Sequence, residues 1–244
     1  MPGTKSYIAD VWSETRRITA TWLPWTAPGR RPVGPAGVAR LGHRSYVGGK
    51  WEAIGRLQYE FLVSQGLLPH HVLLDIACGS LRGGVHFIPF LDVGHYLGID
   101  KEEALIAAGV AHELGSELIA LKRPQFVVSP AFEFERFPLR PDFAWAHSLF
   151  THLPQPLIHA CLEKLRQAAH RETRCYATFF ECGKPRVNPA AAHDHKAFLF
   201  TRSELEQFGA AAGWRMKYVG DWNHPRGQKM VLFYEPVEGC SLNP

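Results

Sequence analysis

From His71 onward the sequence keeps changing its hydrophobic period, and this alternation restricts the fold more than any other feature. "HVLLDIA", "HYLGID", "PQFVVS", "DFAWAHS" and "TRCYATFFE" are short apolar runs of strand length. Between them lie stretches of helical character. "GGVHFIPFL" is a short helix and "KEEALIAAGVAHEL" a longer one. "PQPLIHACLEKLRQAAH" gathers Leu157, Ile158, Cys161, Leu162 and Leu165 into one stripe. Strands alternating with helices predict an α/β fold whose parallel sheet is covered on both faces. Two closing runs, "WRMKYVGDW" and "QKMVLFYEP", have no helix between them and are expected to pair antiparallel. Ahead of them, Ser203 and Glu206 have capping-box spacing, and Gly213 is placed to stop the helix that follows.

Upstream, Trp51, Ile54, Leu57 and Phe61 mark an amphipathic helix ending near Gly66. Tyr7–Trp25 has helical potential, and the Pro-, Gly- and Arg-rich stretch Pro24–Gly49 reads as an irregular linker or lid. Residues 1–50 carry eight Lys and Arg against Asp10 and Glu14, a net +6 in a chain of net +4. Such an arm either contacts an anionic partner or lies on the acidic body. The expected division is a basic arm and lid over 1–50 and a ligand-binding domain over 51–244. The five cysteines are odd in number and form no C-x-x-C pair, which argues against a disulfide framework and a thiolate zinc site. No apolar run approaches the ~18 residues of a membrane span, and no signal peptide opens the chain. A soluble, reduced, cytoplasmic protein is expected.

The stretch "LLDIACGSLRGG", Leu73–Gly84, ends a strand in an acid and continues into a glycine-containing loop. A phosphate-binding P-loop needs G-x-x-x-x-G-K-[ST], and no Lys-Ser/Thr follows Gly83-Gly84. A dinucleotide fingerprint needs a second glycine where this chain has Leu81, so a pyrophosphate fits poorly. S-adenosylmethionine lacks phosphates. Its cationic end suits an acid such as Asp75, and its carboxylate wants donors of the kind offered by the Ser80–Gly84 amides and Arg82. Its ribose diol wants an acid at the end of the second strand, where Asp100 stands.

Taken together, "LLDIACGSLRGG" and "YLGID" resemble the first two motifs of class I S-adenosylmethionine-dependent methyltransferases, over about Tyr46–Tyr234. More narrowly, "YVGGKWEAIGRLQYEFL", "SLFTHLP" and "WNHPRGQKM" look like a bacterial subgroup acting on small molecules, some of them in sugar pathways. The resemblance implies a Rossmann-like, doubly wound, seven-stranded, mostly parallel sheet with an antiparallel last strand, to which the helical and irregular N-terminal arm read above is added. It also implies cofactor contacts at Asp75, Ala77, Gly79 and Asp100. Cys78, Ser80, Arg82, Lys101 and His147 complete the candidate cofactor set.

A hydroxyl acceptor is too weak an acid to attack unaided, so a general base or a metal is required, and histidine suits the base at neutral pH. His147 and His152 follow the fourth strand, and either is a candidate base. Glu181, ending the fifth strand, is the third candidate catalytic residue. Ala146-His147-Ser148-Leu149 stands where nucleobase amino methylation calls for D/N-P-P-aromatic, so nucleic acid is not expected as the acceptor. Tyr46 and His195 are expected at the substrate, with Asp221, His224 and Gln228 on a polar rim that also holds Asn223 and Arg226. His193, Asp194 and His195 supply metal-ligand types at unspecific spacing, so a divalent metal is left open but not favoured. The expected function is methyl transfer to a hydroxyl of a polar small molecule, sugar-like in character, with a homodimer left open and no membrane partner. The rivals are a non-catalytic binding protein that uses its basic arm on RNA or an acidic partner, and an NAD-dependent oxidoreductase.

Overall fold

Strand β1, Leu73–Ile76, is buried along its whole length, as the centre of a sheet covered on both faces requires. The computed structural model describes residues 32–235. The expected helix at Tyr7–Trp25 and most of the basic arm lie outside these residues. Around β1 the sheet runs in the order β3 (Gln125–Val128), β2 (Tyr96–Asp100), β1, β4 (Phe143–Ala146), β5 (Arg174–Glu181), β8 (Lys229–Tyr234), β7 (Arg215–Asp221). The first five are parallel, whereas β8 is antiparallel to both β5 and β7, as the missing helix between the last two runs foretold.

Successive side chains of each strand point to opposite faces, and the core divides accordingly. Leu74, Ile76, Ala144, Ala146, Ala177, Val231 and Phe233 lie on one side. They meet Ile158, Cys161, Leu162 and Leu165 of the helix Gln155–Ala168, and Leu205 and Phe208 of the helix Arg202–Ala211. Leu73, Phe143, Trp145, Tyr176, Met230 and Leu232 lie on the other. There they meet Leu62 of the helix Trp51–Ser64, Phe87 of Gly84–Phe90 and Ile106 of Glu103–Gly109. No single described helix is long and apolar enough to cross a membrane.

Four local expectations are corrected. The stretch expected to be an irregular lid holds two helices, α1 (Gly34–Leu41) and α2 (His43–Tyr46). Its Pro35 sits in a first turn, where proline needs no amide partner, and Gly42 (φ 76°) sits at the junction, so the residues read as breakers mark helix ends. Val38 and Tyr46 then pack on Leu105. Downstream, α3 is Trp51–Ser64 and α4 is Gly84–Phe90. The helix expected over 101–114 forms over Glu103–Leu114, but only α5 (Glu103–Gly109) is α-helical, Val110–Leu114 is a π-helical turn, and an unforeseen α6 (Ser116–Lys122) follows. After α7 (Gln155–Ala168), a short unforeseen strand, β6 (Leu199–Phe200), pairs in parallel with the end of β5. It leaves Thr201 extended, so the capping box of α8 (Arg202–Ala211) is Thr201 and Glu204 rather than Ser203 and Glu206. Gly213 follows α8 at φ 80°, the expected stop.

Candidate active site

The carboxyl ends of β1 and β4 lie side by side where the sheet order reverses, the place at which open α/β sheets bind ligands. A cleft of about 320 Å3 opens there, at the small end of the ~300–1,000 Å3 typical of ligand pockets. Its floor is the loop from Ala77 to Gly83. Ala77 (φ 61°), Gly79 (φ 56°) and Leu81 (φ 67°) alternate in the left-handed region, which folds the loop tightly under the cleft. Two of these are not glycines, a conformation that costs of the order of 1–3 kcal/mol each and persists only where the surroundings impose it. Leu81 is fully buried in the core, so the position that is glycine in dinucleotide loops here pins the loop from below.

Two acids line the cleft. Asp75 accepts a hydrogen bond from the Tyr96 hydroxyl at 2.7 Å, and burial pushes its carboxyl up to about 7. Asp100 ends β2 and accepts from the amides of Gly79 (2.9 Å) and Glu102 (2.8 Å). Burial raises its pKa against those two bonds. Each oxygen thus holds one backbone donor, and a carboxylate has about four acceptor sites, so capacity for a diol remains. Cys78 is a buried thiol in the same wall, raised by burial and therefore unreactive.

Basic groups share the lining with these acids. Arg82 is 7% exposed, and its Nη1 donates to the carbonyls of Val47 (3.1 Å) and Gly49 (2.9 Å). Its Nε and the Ser80 hydroxyl are both buried without a hydrogen-bond partner. Burial and the neighbouring Arg226 charge pull Arg82 down to about 9. His147, at the end of β4, is held neutral by burial and by the Arg82 charge.

A third wall closes over the acids. Tyr46 accepts from the Gly34 amide (2.9 Å) and donates to Asp194 (2.6 Å), which also pairs with Lys101 at 2.5 Å. His195 Nε2 donates to the Pro32 carbonyl (3.1 Å). Asp194 therefore serves as the latch between α2 and the loop before β6. Among the described residues, no group of three or more His, Cys, Asp or Glu has metal-holding geometry. Behind the latch, His152 Nδ1 faces the carbonyls of His193 (3.1 Å) and Lys196 (3.0 Å). Two carbonyls can only accept, so Nδ1 carries the proton and Nε2 keeps its lone pair. Burial pulls this imidazole down to about 4.

Of the residues expected at a site, the cleft brings together the whole cofactor set, His152, Tyr46 and His195. Glu181 is not in its wall. It pairs with Phe200 in the sheet, accepts from Tyr218 at 2.5 Å and meets Arg202 at 3.4 Å, because β6 continues the sheet past the expected edge. Asp221 is exposed and paired with Lys229 at 2.9 Å. Gln228 is buried between Thr178 (2.7 Å) and Ser148 (2.6 Å), holding β5, β8 and the loop after β4 together. His224 stands behind His147, with their Nε2 atoms 3.3 Å apart, and does not line the cleft. The sequence reading missed Ser129 and Pro130 after β3, Val47 in the lid and Gln58 of α3, all of which line it. Position after a strand end was the available signal for Ser129. Gln58, a polar residue on an apolar helix face, was another, and it accepts from the buried Trp145 indole at 2.8 Å.

No protein-family model matches the chain. Its fold is similar to that of magnesium protoporphyrin IX methyltransferase from Synechocystis PCC 6803, solved with bound S-adenosylmethionine. The TM-score is 0.55 at 14% identity, over 96% of this chain and 99% of that one. A proposed O-methyltransferase from Nostoc punctiforme PCC 73102 matches with TM-score 0.58 at 15% identity, over 91% and 68% of the two chains. A glycopeptide N-methyltransferase, also complexed with S-adenosylmethionine, matches with TM-score 0.56 at 11% identity, over 75% and 94%. The likeness is one of fold, the mixed α/β Rossmann-like sheet of these methyltransferases.

Proposed function

We propose that this chain is an S-adenosylmethionine-dependent methyltransferase acting on a hydroxyl of a small molecule. The carrying observation is the polar lining of the cleft, which sets two buried acids, Asp75 and Asp100, together with buried, unpartnered Ser80 Oγ and Arg82 Nε. That layout fits a ligand with a cationic centre, a diol and a carboxylate. Asp75 and Asp100 would hold the cationic and diol parts, and Ser80 and Arg82 the carboxylate. When bound, the cofactor supplies a methyl group on a sulfonium, transferred by in-line displacement.

The chain's own contribution is alignment, exclusion of water and acceptance of a proton. Tyr46, Asp194 and Lys101 line the cleft and are bonded to one another, which would restrict water beside a bound ligand. His152 is the better base. Its Nδ1–H is fixed by two carbonyls, and Asp194 favours the imidazolium that proton transfer creates. His147 faces Arg82 and Arg226, which oppose its protonation. A sugar-like acceptor is supported by the sequence resemblance. The structural neighbours include both O- and N-methyltransferases and do not choose between acceptors.

Calorimetry with S-adenosylhomocysteine tests the cofactor, and failure to bind defeats the reading. His152→Ala should lower kcat by about 10²–10⁴-fold, the usual worth of a general base, with cofactor affinity retained. Because His152 is neutral down to about 4, kcat measured with the cofactor saturating, so that Asp75 is already engaged, should stay level through neutral pH and fall only as the pH approaches that value. An inflection near 6.5 would remove His152 from the role.

A further inference from the structure

The turn between β7 and β8 brings Arg226 to the same end of the cleft as Arg82. Arg226 donates from Nη2 to the Gly48 carbonyl, between the two carbonyls that Arg82 holds at Val47 and Gly49. Two guanidinium groups from distant parts of the chain thus grip three consecutive lid residues. Carbonyls accept from part of each guanidinium but carry no net charge, so these three bonds do not themselves offset the repulsion between the two cations. The Arg226 charge acts on Arg82, His147 and His224 alike. The acid acting on Arg82 is Asp75, which is itself held to about 7 and bonded to Tyr96. Two donors beneath this pair, Arg82 Nε–H and Ser80 Oγ–H, are buried without partners. Two orphan donors under two cations match the two oxygens and single charge of a carboxylate.

We propose that Arg226 joins Arg82 and Ser80 in a carboxylate-binding site, closed from above by Val47–Gly49. The site rests on the cofactor reading and takes its carboxylate from the amino-acid end of that cofactor. A carboxylate on the acceptor has the same chemistry, and the experiment separates the two sources.

Calorimetry compares S-adenosylhomocysteine with 5′-methylthioadenosine, which lacks the amino-acid end, on the wild-type protein and Arg226→Gln. Loss of one charged hydrogen-bonding partner should weaken S-adenosylhomocysteine about tenfold or more. 5′-Methylthioadenosine should hold within about twofold, which also shows that the variant is folded. Equal weakening of both ligands overturns the site, since it signals a structural role. If S-adenosylhomocysteine is unaffected but glycolate no longer binds the S-adenosylhomocysteine-loaded variant, the site stands and its carboxylate belongs to the acceptor. If neither probe responds to Arg226→Gln, the site is overturned. Wild-type protein that binds neither nucleoside removes the cofactor reading, and the site falls with it.

Discussion

Asp75 sits where an ionised carboxylate is poorly solvated, and the chain keeps it there within reach of the Tyr96 hydroxyl and the cleft. Its carboxyl titrates near 7 in the folded chain against 3.8 ordinarily, so between these values the native state binds more protons than the unfolded one. Stability from this group is complete below about 4 and is lost as the pH rises through about 7. Asp75→Asn keeps the shape and still accepts from Tyr96. It should therefore raise the unfolding free energy at pH above 7, each tenfold change in proton affinity being worth about 1.4 kcal/mol. The same change should weaken S-adenosylhomocysteine binding. Urea unfolding and calorimetry on one preparation check both, and a variant that loses stability as well as affinity contradicts this opposition between stability and binding. Asp75 and Asp100 were legible in the sequence because strand ends in an alternating pattern predict position. Their protonation behaviour was not, since it depends on burial by residues far away in the chain.

At the scale of elements, the glycine-containing loop is held by two helices that approach its backbone directly. A Cβ on Gly55 of α3 would come within 2.5 Å of the Arg82 carbonyl, and one on Gly109 of α5 within 2.5 Å of the Ser80 carbonyl. Gly-to-Ala in a helix interior normally stabilises by about 1 kcal/mol through backbone propensity. Here the contact reverses the sign. Gly109→Ala should destabilise by about 1–3 kcal/mol, the usual cost of overpacking, and should weaken S-adenosylhomocysteine binding by displacing Ser80. A rise in Tm for this variant would refute the direct approach. Neither glycine was singled out from the sequence, where a helical glycine is merely an unfavourable residue. The helix–loop distance that makes it necessary belongs to the tertiary fold. Similarly, "TRSELE" contains two overlapping capping patterns, and β6 decided between them by fixing Thr201 in an extended conformation.

Across the whole molecule, imidazoles are buried neutral on both flanks of the cleft. His152 titrates near 4 and His224 near 3 because of burial, and His147 is depressed as well. Each contributes stability present above its ordinary 6.5, lost as the pH falls toward the folded value, since the unfolded chain takes up protons first. Between about 4 and 6.5 this loss, joined by that of His71, opposes the gain from Asp75 and Asp100, and four depressed imidazoles outweigh two raised carboxyls. Glu113 and Asp194, depressed by their bonds to Arg44 and Lys101, add loss of the same sign at lower pH. The urea midpoint of the wild-type protein should therefore fall steadily from pH 6.5 to 4, without a change in m. A level midpoint across that range contradicts the neutral-histidine arrangement.

The sequence by itself determined the sheet, its antiparallel close and the place of the cleft, because hydrophobic period and strand ends are local properties that survive without knowledge of neighbours. It also argued against phosphate-bearing cofactors, through one leucine and one absent lysine. Only the tertiary structure decided which polar residues face the cleft. Glu181 and Gln228 looked like site residues by composition and are consumed by β6, Tyr218, Thr178 and Ser148. Arg226 stood on an undifferentiated rim until the fold set it beside Arg82, 144 positions away in the chain. Charge and hydrogen-bond satisfaction act through space, and the order of residues along the chain does not record them.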